Sequence, residues 1–300
     1  MVSKLATTTA HLHTLISRGG SSDRGLQRER NEDAFALPSA GAEEARLGTL
    51  LVVADGVGGL PGGAAASWDA VHYLQALYYA GAGPDHPGDR LRRCVEMVNL
   101  LNRAAQQRLG QIGERLTTLV AAVVYNDYIW IANVGDSRAY LVQANATWRQ
   151  LTEDHSVTRT DQAGDPDQPR RRTGAITRAI GLEKRCQVDV YRYQWQPGDR
   201  LILCSDGLAR LAIPAMAQTA LHYPPQAAAE ALIAQANKED GSDNSTVVVA
   251  SWENSPAPEV AQEKVRFQPQ QSRSIWKSLV IFIMGLILGG VSTMVYWLYF

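Results

Sequence analysis

Apolar positions in the first 252 residues fall into two patterns, short continuous runs and longer helical periodicities. Runs of strand length occupy residues 49–54, 118–125, 128–134, 137–142, 200–204 and 246–251. Apolar side chains recur at helical spacing at Trp68, Val71, Leu74 and Tyr78, and again from Leu91 to Leu109. Because several runs follow one another through short turns, the pattern favours antiparallel sheets combined with helices, an α+β fold.

The C-terminal residues follow a different pattern. Residues 279–300 carry no charged side chain, and as a helix they would extend about 33 Å, enough to cross a hydrocarbon core of about 30 Å. Residues 253–274 contain prolines and glutamines with little apolar periodicity, which is typical of a linker. The sequence therefore predicts a globular domain at 1–252, a linker at 253–274 and a transmembrane anchor at 275–300.

The residues that flank the uncharged stretch 279–300 predict its orientation in the membrane. Aromatic residues suited to a membrane interface stand at its two ends, at Trp276, Tyr296, Trp297 and Tyr299. Basic residues precede it and none follows, with Arg266, Arg273 and Lys277 closest. By the positive-inside rule, we expect the N-terminal domain on the cytoplasmic face of the membrane. Gly285 and Gly289 have the spacing of a helix-pairing motif, and the oligomeric state stays open.

Composition excludes several classes of protein. The formal net charge of −1 gives no general attraction for nucleic acid. The three cysteines include no C-x-x-C pair, which argues against a disulfide scaffold. The six histidines form no H-E-x-x-H motif, so a zinc site built from histidines is not expected.

Five carboxylates stand where apolar strands begin or end, at Asp33, Asp55, Asp136, Asp206 and Asp243. Turn chemistry alone explains any single Asp-Gly or Asp-Asn pair. Five together indicate more, because a carboxylate at the end of a buried strand is costly unless it is paired or bound to a cation. Oxygen ligands without histidine or thiolate favour Mg²⁺ or Mn²⁺. The pattern predicts a divalent-cation site.

Short motifs throughout the domain resemble those of one known family. In chain order they are Arg28-x-x-Asn31-Glu32-Asp33, Val53-Ala54-Asp55-Gly56-Val57-Gly58-Gly59, Gly135-Asp136-Ser137-Arg138, Leu151-Thr152-x-Asp154-His155-Ser156, Ile176-Thr177-Arg178-Ala179-Ile180-Gly181, Ser205-Asp206-Gly207-Leu208 and Asp243-Asn244-Ser245-Thr246. Their order and spacing are similar to those of the protein phosphatase 2C family, the metal-dependent serine/threonine phosphatases. The Asp-Gly-Val-Gly-Gly form resembles the bacterial branch.

The resemblance implies a four-layer α/β/β/α sandwich, in which helices flank two antiparallel β-sheets. It also implies two bound Mn²⁺ or Mg²⁺ ions. Asp55 and Asp206 would ligate this metal pair, and Gly56 would add its carbonyl oxygen. Asp243 would hold the second ion, and Asp136 would match the ligand of a third, weaker metal site.

The same resemblance implies roles for three residues around the metals. Glu32 and Asp33 would act nearby, partly through bound water, and Arg28 would bind the substrate phosphate. Two cations activate a water for in-line attack on phosphorus, so no covalent nucleophile is needed. Val57 stands where many eukaryotic relatives carry a histidine, and no general acid is therefore assigned.

The implied function is hydrolysis of phosphoserine and phosphothreonine in proteins, with a serine/threonine protein kinase as the natural partner. One alternative is an inactive, membrane-tethered phosphoprotein binder, although such proteins usually lose metal carboxylates and this chain keeps them. Another is a phosphatase of an anti-sigma-antagonist-type switch, a group that usually carries an added sensor domain.

Two features near the implied site have less specific readings. The flap, roughly residues 157–174, contains Arg170, Arg171 and Arg172, which fit either a solvated loop or a preference for acidic phosphopeptides. For His155, just before the flap, the resemblance implies a structural role.

Overall fold

The computed structural model describes residues 16–38, 41–80, 86–158, 172–208 and 211–252, all within the unit Met1–Ala257. Its strands are β1 (Ile16–Asp23), β2 (Asp33–Ala36), β3 (Thr49–Asp55), β4 (Leu119–Tyr125), β5 (Tyr128–Val134), β6 (Arg138–Val142), β7 (Trp148–Gln150), β8 (Ser156–Thr158), β9 (Arg172–Ile176), β10 (Asp189–Gln194), β11 (Arg200–Cys204) and β12 (Ser245–Trp252). Its helices are α1 (Ala42–Leu47), α2 (Gly63–Ala80), α3 (Pro87–Leu109), α4 (Ile213–His222) and α5 (Pro225–Glu239).

Ten of these strands form two antiparallel sheets. The first sheet has the order β1-β12-β11-β6-β7 and the second has the order β10-β5-β4-β3-β2. β8 and β9 pair separately as a two-stranded sheet. Consecutive strands of the second sheet pair with one another, as when Val53 of β3 lies opposite Val120 of β4. The predicted antiparallel arrangement is confirmed.

Three layers of buried side chains separate four layers of secondary structure. One core lies between the second sheet and helices α2 and α3, another between the first sheet and helices α4 and α5, and the third between the two sheets. The packing of β3 explains why its sequence is continuously apolar. Leu50 and Val52 face the helices, whereas Leu51 and Val53 face the other sheet, so both faces of the strand are buried.

Local signals in the sequence account for the ends of the long helix α3. Pro87 occupies its first turn, where the missing N–H costs nothing. Gly110 ends it with a left-handed backbone, φ 69°, that a side chain would disfavour.

The apolar stripe predicted along α2 is wrong at one position. Tyr78 is fully buried, but the side chain of Trp68 is 57% exposed and stacks on His72 with ring centroids 3.8 Å apart. Helical spacing places Trp68 and Tyr78 on neighbouring faces of α2. Only the packing of the sheet against α2 decides which of these faces is covered.

The predicted linker at 253–274 and the predicted anchor at 275–300 lie outside the described residues, as do Arg170 and Arg171 of the flap. Within the part of the chain that the structure describes, no helix combines the length and the apolar character needed to span a bilayer. The domain boundaries drawn from the sequence stay predictions.

Candidate active site

The ends of four strands bring the predicted carboxylates to one end of the sandwich. In the second sheet, Asp33 begins β2, Asp55 ends β3, and the two residues are direct register partners. In the first sheet, Asp206 follows β11 and Asp243 precedes the adjacent strand β12. Asp136 lies in the connection from β5 to β6, where the chain crosses from the second sheet to the first.

These residues surround a cavity of about 320 Å³. Seven of the eight residues predicted from the sequence line it, namely Arg28, Glu32, Asp55, Gly56, Asp136, Asp206 and Asp243. The eighth, Asp33, is not among the lining residues. Its Oδ2 accepts a hydrogen bond of 2.7 Å from the Ser205 hydroxyl, and its Oδ1 is buried without a hydrogen-bond partner.

The carboxylates strongly perturb one another. Burial, reinforced by the negative charges of Asp206 and Asp243, raises the pKa of Asp33 to about 7. Burial and the charge of Asp33 likewise raise the pKa of Asp55 well above its ordinary value. For Asp136, burial and the charge of Asp206 raise the pKa to about 6. Without a cation, this group of carboxylates holds protons at a pH where isolated aspartates are ionised.

The oxygen atoms available as ligands fit divalent cations of the Mg²⁺ and Mn²⁺ type. All the side-chain donors are oxygens, and the buried Oδ1 of Asp33 is a polar atom still in need of a partner. No three of the described His, Cys, Asp and Glu side chains by themselves enclose an ion. Bound ions would therefore complete their coordination with water and with the Gly56 carbonyl, as hard cations commonly do.

Arg28 supplies the positive charge of the cavity. Its Nη2 donates to Asp243 Oδ2 at 2.8 Å, and its side chain is 40% exposed. Burial alone would lower the pKa of Arg28, but the charge and hydrogen bond of Asp243 raise it. A Cβ atom added at Gly58 would lie 2.8 Å from Arg28 Nη1, so the glycine leaves room for the guanidinium. A guanidinium in this position can bind phosphate oxygens.

Asn244, which belongs to the motif at residues 243–246 but was not predicted as a site residue, holds the loop that carries Arg28. Its Oδ1 accepts from the Glu32 amide at 2.8 Å. Its Nδ2 donates to the carbonyls of Arg24 and Arg30, at 2.8 and 2.9 Å. These bonds fix both ends of the loop that carries Arg28.

A hydroxyl pair links Asp55 to the connection that carries Asp136. The Asp55 amide donates to Thr118 Oγ1 at 3.0 Å, and Thr118 Oγ1 lies 2.7 Å from Ser137 Oγ. Asn244 and Ser137 lie in the motifs and Thr118 directly precedes β4, but their bonds join residues distant in sequence, which no local pattern indicates.

The two-sheet sandwich and its acidic cavity are those of a metal-dependent enzyme. The family model "Protein phosphatase 2C" matches residues 24–246, and the chain belongs to this family. It is 34% identical over 240 residues to the "Serine/threonine phosphatase stp" of Listeria innocua, which covers 76% of this chain and 92% of that protein. The chain is a metal-dependent protein serine/threonine phosphatase.

Solved structures agree with this assignment. Serine/threonine phosphatase Stp1 from Staphylococcus aureus matches with a TM-score of 0.71 and 27% identity, over 83% of this chain and all of that one (100%). The catalytic domain of PstP in complex with two manganese ions matches with a TM-score of 0.66 and 28% identity, over 79% of this chain and 97% of that one.

The raised pKa values predict how the stability of the metal-free protein depends on pH. An unfolded aspartate has a pKa of about 4, whereas the pKa values of Asp33 and Asp136 in the folded protein are about 7 and about 6. Over this range the folded state binds more protons than the unfolded state. The free energy of unfolding is therefore expected to fall by about 3 to 6 kcal/mol as the pH rises from about 4 to about 7, with the larger share from Asp33. Urea unfolding in EDTA measures the slope.

Two controls identify the source of this slope. Asp33→Asn removes one titrating group and is expected to make the slope shallower. Saturating Mn²⁺ is expected to abolish it, because a cation favours the ionised carboxylates. A metal-free stability that rises with pH over the same range would contradict the pKa shifts.

Proposed function

We propose that the cavity is a binuclear Mn²⁺ or Mg²⁺ centre that hydrolyses phosphoserine and phosphothreonine in proteins. The observation that carries this proposal is the convergence of carboxylates from both sheets on one cavity, where burial and their mutual repulsion raise the pKa values of Asp33 and Asp55. Asp55, Asp206 and the Gly56 carbonyl would hold the metal pair, and Asp243 would hold the second ion. The manganese complex of the similar PstP domain supports this assignment.

The remaining residues of the cavity have supporting roles. Glu32 and Asp33 would hold water beside the ions, and Asp136 would bind a third, weaker ion. Two bound divalent cations lower the pKa of a water molecule and orient it for attack on phosphorus. Arg28 would bind the equatorial oxygens of the phosphoryl group, where negative charge is concentrated.

The proposed hydrolysis by direct attack of water needs no covalent intermediate. Hydrolysis forms a bond from the water oxygen to phosphorus and breaks the bond to the serine or threonine oxygen, which leaves as an alcohol after gaining a proton. None of the cysteines Cys94, Cys186 and Cys204 lines the cavity. Burial raises the pKa of Cys186 and of Cys204 to about 12, so neither is a thiolate near neutral pH.

We further propose that residues 253–274 tether the phosphatase to a transmembrane anchor at 275–300, with the catalytic domain in the cytoplasm. The uncharged stretch, its interfacial aromatics and the preceding basic residues support this arrangement. Phosphorylated proteins near the membrane, and a serine/threonine kinase of the same cell, would then be the partners.

Loss of a metal ligand tests the catalytic proposal. Asp206→Asn keeps the shape of the side chain but removes its charge, and it is expected to lower kcat on a phosphothreonine peptide with Mn²⁺ by more than about 100-fold. Wild-type activity is expected to stop in EDTA and to return with Mn²⁺. Glu230→Gln on the exposed surface of α5 is a matched control with unchanged rate. Wild-type activity that survives EDTA would contradict the metal mechanism.

Arg28 is tested by separating phosphate binding from metal binding. Arg28→Ala is expected to weaken inhibition by inorganic phosphate by roughly 10- to 100-fold, because a charge-assisted hydrogen bond is lost. Mn²⁺ affinity, measured by calorimetry, is not expected to fall, since the substitution removes a positive charge from Asp243. Arg28→Lys keeps the charge without the fork and is expected to be intermediate. A collapse of Mn²⁺ affinity in Arg28→Ala would show that Arg28 is structural.

Membrane anchoring is tested by fractionation. The full-length chain is expected in the membrane fraction and resistant to high salt and alkaline wash, because the uncharged residues 279–300 are long enough to cross the hydrocarbon core as a helix. A chain ending at residue 252 is expected to be soluble and active. Full-length protein in the soluble fraction would contradict the anchor and leave the catalytic proposal intact.

A further inference from the structure

A short segment, residues 151–155, binds the connection that carries Asp136 and the strand β6 that follows it. Two of its side chains bind the start of β6: the Thr152 hydroxyl accepts from the Ala139 amide at 3.1 Å, and Asp154 accepts from the Arg138 guanidinium at 2.9 and 3.0 Å. A third reaches the connection itself, where His155 Nδ1 accepts from the Gly135 amide at 3.1 Å. Of these contacts, the one from His155 lies next to Asp136 in the chain.

The contacts of His155 fix the protonation of its ring. The Gly135 amide can only donate, so Nδ1 must be unprotonated. The proton of the neutral ring is then on Nε2, which lies 2.9 Å from Asp189 Oδ2 and donates to it. Arg178 Nη1 donates to the other oxygen of Asp189 at 2.9 Å and lies 3.1 Å from Nε2. With 6% of its surface exposed, His155 has little freedom to adopt another orientation.

Asp189 is an ionised anchor for this ring. Partial burial acts to raise the pKa of Asp189, but its hydrogen bond with His155 and the positive charge of Arg178 lower it below its ordinary value. The carboxylate lies at the start of β10, whose partner in the register is Asn133 of β5. The His155 ring therefore spans from the second sheet to the Gly135 amide.

The backbone of His155 reaches the flap. We use "flap base" for β8, β9 and Thr177, the described residues on either side of positions 159–171. The His155 carbonyl accepts from the Thr177 amide at 2.8 Å, and its amide donates to the Gly135 carbonyl at 3.0 Å. Ile176, the last residue of β9, lines the metal cavity. One residue thus contacts both the flap base and the glycine that precedes Asp136.

The backbone conformation of Gly135 explains why its contacts with His155 affect the position of Asp136. Its φ of 108° is accessible to glycine but disfavours other residues, and a Cβ atom added there would lie 2.6 Å from the Thr118 Cβ. A glycine in such a conformation has wide rotational freedom unless hydrogen bonds restrict it. His155 supplies that restriction on both sides of the Gly135 Cα, because its Nδ1 accepts from the Gly135 N–H and its amide donates to the Gly135 carbonyl.

We propose that His155 is a positioning residue, whose neutral ring and backbone hold Gly135 so that Asp136 is placed to bind a divalent cation and is coupled to the flap base. This inference rests on the proposed metal-dependent function. In this role His155 restricts Asp136 and does not touch the substrate. Loss of the His155 ring is therefore expected to weaken one metal site selectively.

Two conservative substitutions separate the two ring contacts. His155→Asn places an oxygen near the position of Nδ1, so it can still accept from the Gly135 amide but does not reach Asp189. His155→Gln places its amide near the position of Nε2, so it can still reach Asp189 but leaves the Gly135 amide without an acceptor.

Mn²⁺ calorimetry on the full chain reads out the metal sites without turnover. His155→Gln is expected to weaken the lowest-affinity Mn²⁺ site by about 10-fold or more, as supporting hydrogen bonds to metal ligands commonly do. The two tighter sites are expected to stay unchanged, as in Asp136→Ala. His155→Asn is expected to keep the weak site within about threefold of wild type, because the Gly135 contact survives. Hydrogen exchange of the Gly135 amide is expected to accelerate in His155→Gln and not in His155→Asn.

The control is Gln150→Ala, which removes two hydrogen bonds that Gln150 donates to the segment 151–155, at the Thr152 carbonyl and at Asp154. It leaves both contacts of His155 with Gly135 in place. It is expected to keep all Mn²⁺ affinities. Equal weak-site affinity in His155→Gln and wild type, or equal loss in His155→Gln and His155→Asn, would overturn the proposal. A wild-type chain that binds no Mn²⁺ and shows no Mn²⁺-dependent phosphatase activity would instead overturn the proposed function.

Discussion

The concentration of negative charge at one end of the sandwich is the constraint on which the rest of the site depends. A carboxylate in such a place is costly unless its charge is neutralised or solvated. The metal-free chain relieves this cost in three ways: protons on Asp33 and Asp136, the charge of the Arg28 guanidinium beside Asp243, and a hydrogen bond from the Ser205 hydroxyl to Asp33. Each is a weaker substitute for a divalent cation, and together they explain how the site folds before it is loaded.

Holding like charges together requires a rigid frame, and the two buried sheets provide one. Both faces of strands such as β3 are covered, so a strand cannot shift without exposing one core or the other. The connections at the strand ends lack this support and are fixed by polar side chains. Asn244 uses its amide for three bonds across the Arg28 loop, and Thr118 with Ser137 joins Asp55 to the connection from β5 to β6. The frame sets the distances, and the polar bonds set the orientations.

The sequence allowed much of this to be predicted, because continuous apolar runs mark strands that are buried on both faces. It did not indicate β1, whose sequence ISRGGSSD has no apolar alternation. That strand exists because all eight of its residues pair with β12, and Gly19 lets α5 approach so closely that an added Cβ would lie 2.3 Å from Gln226. The carboxylates were found from their places at strand ends. Asn244 and the ring contacts of His155 were not, because their partners are distant in the chain and only the folded structure brings them together.

The charges also imply an order of binding. A phosphate monoester adds negative charge to a cavity that already holds protons to relieve its own repulsion, so phosphate binding is unfavourable until cations are present. In the metal-free chain the guanidinium of Arg28 is engaged by Asp243, one of the proposed ligands. A cation held by Asp243 would compete with that contact and would leave the Arg28 guanidinium free to face the cavity. The carboxylates proposed to hold the metals thus also engage Arg28, the residue proposed to bind phosphate, while the site is metal-free. Charge balance alone therefore favours metal binding before substrate binding.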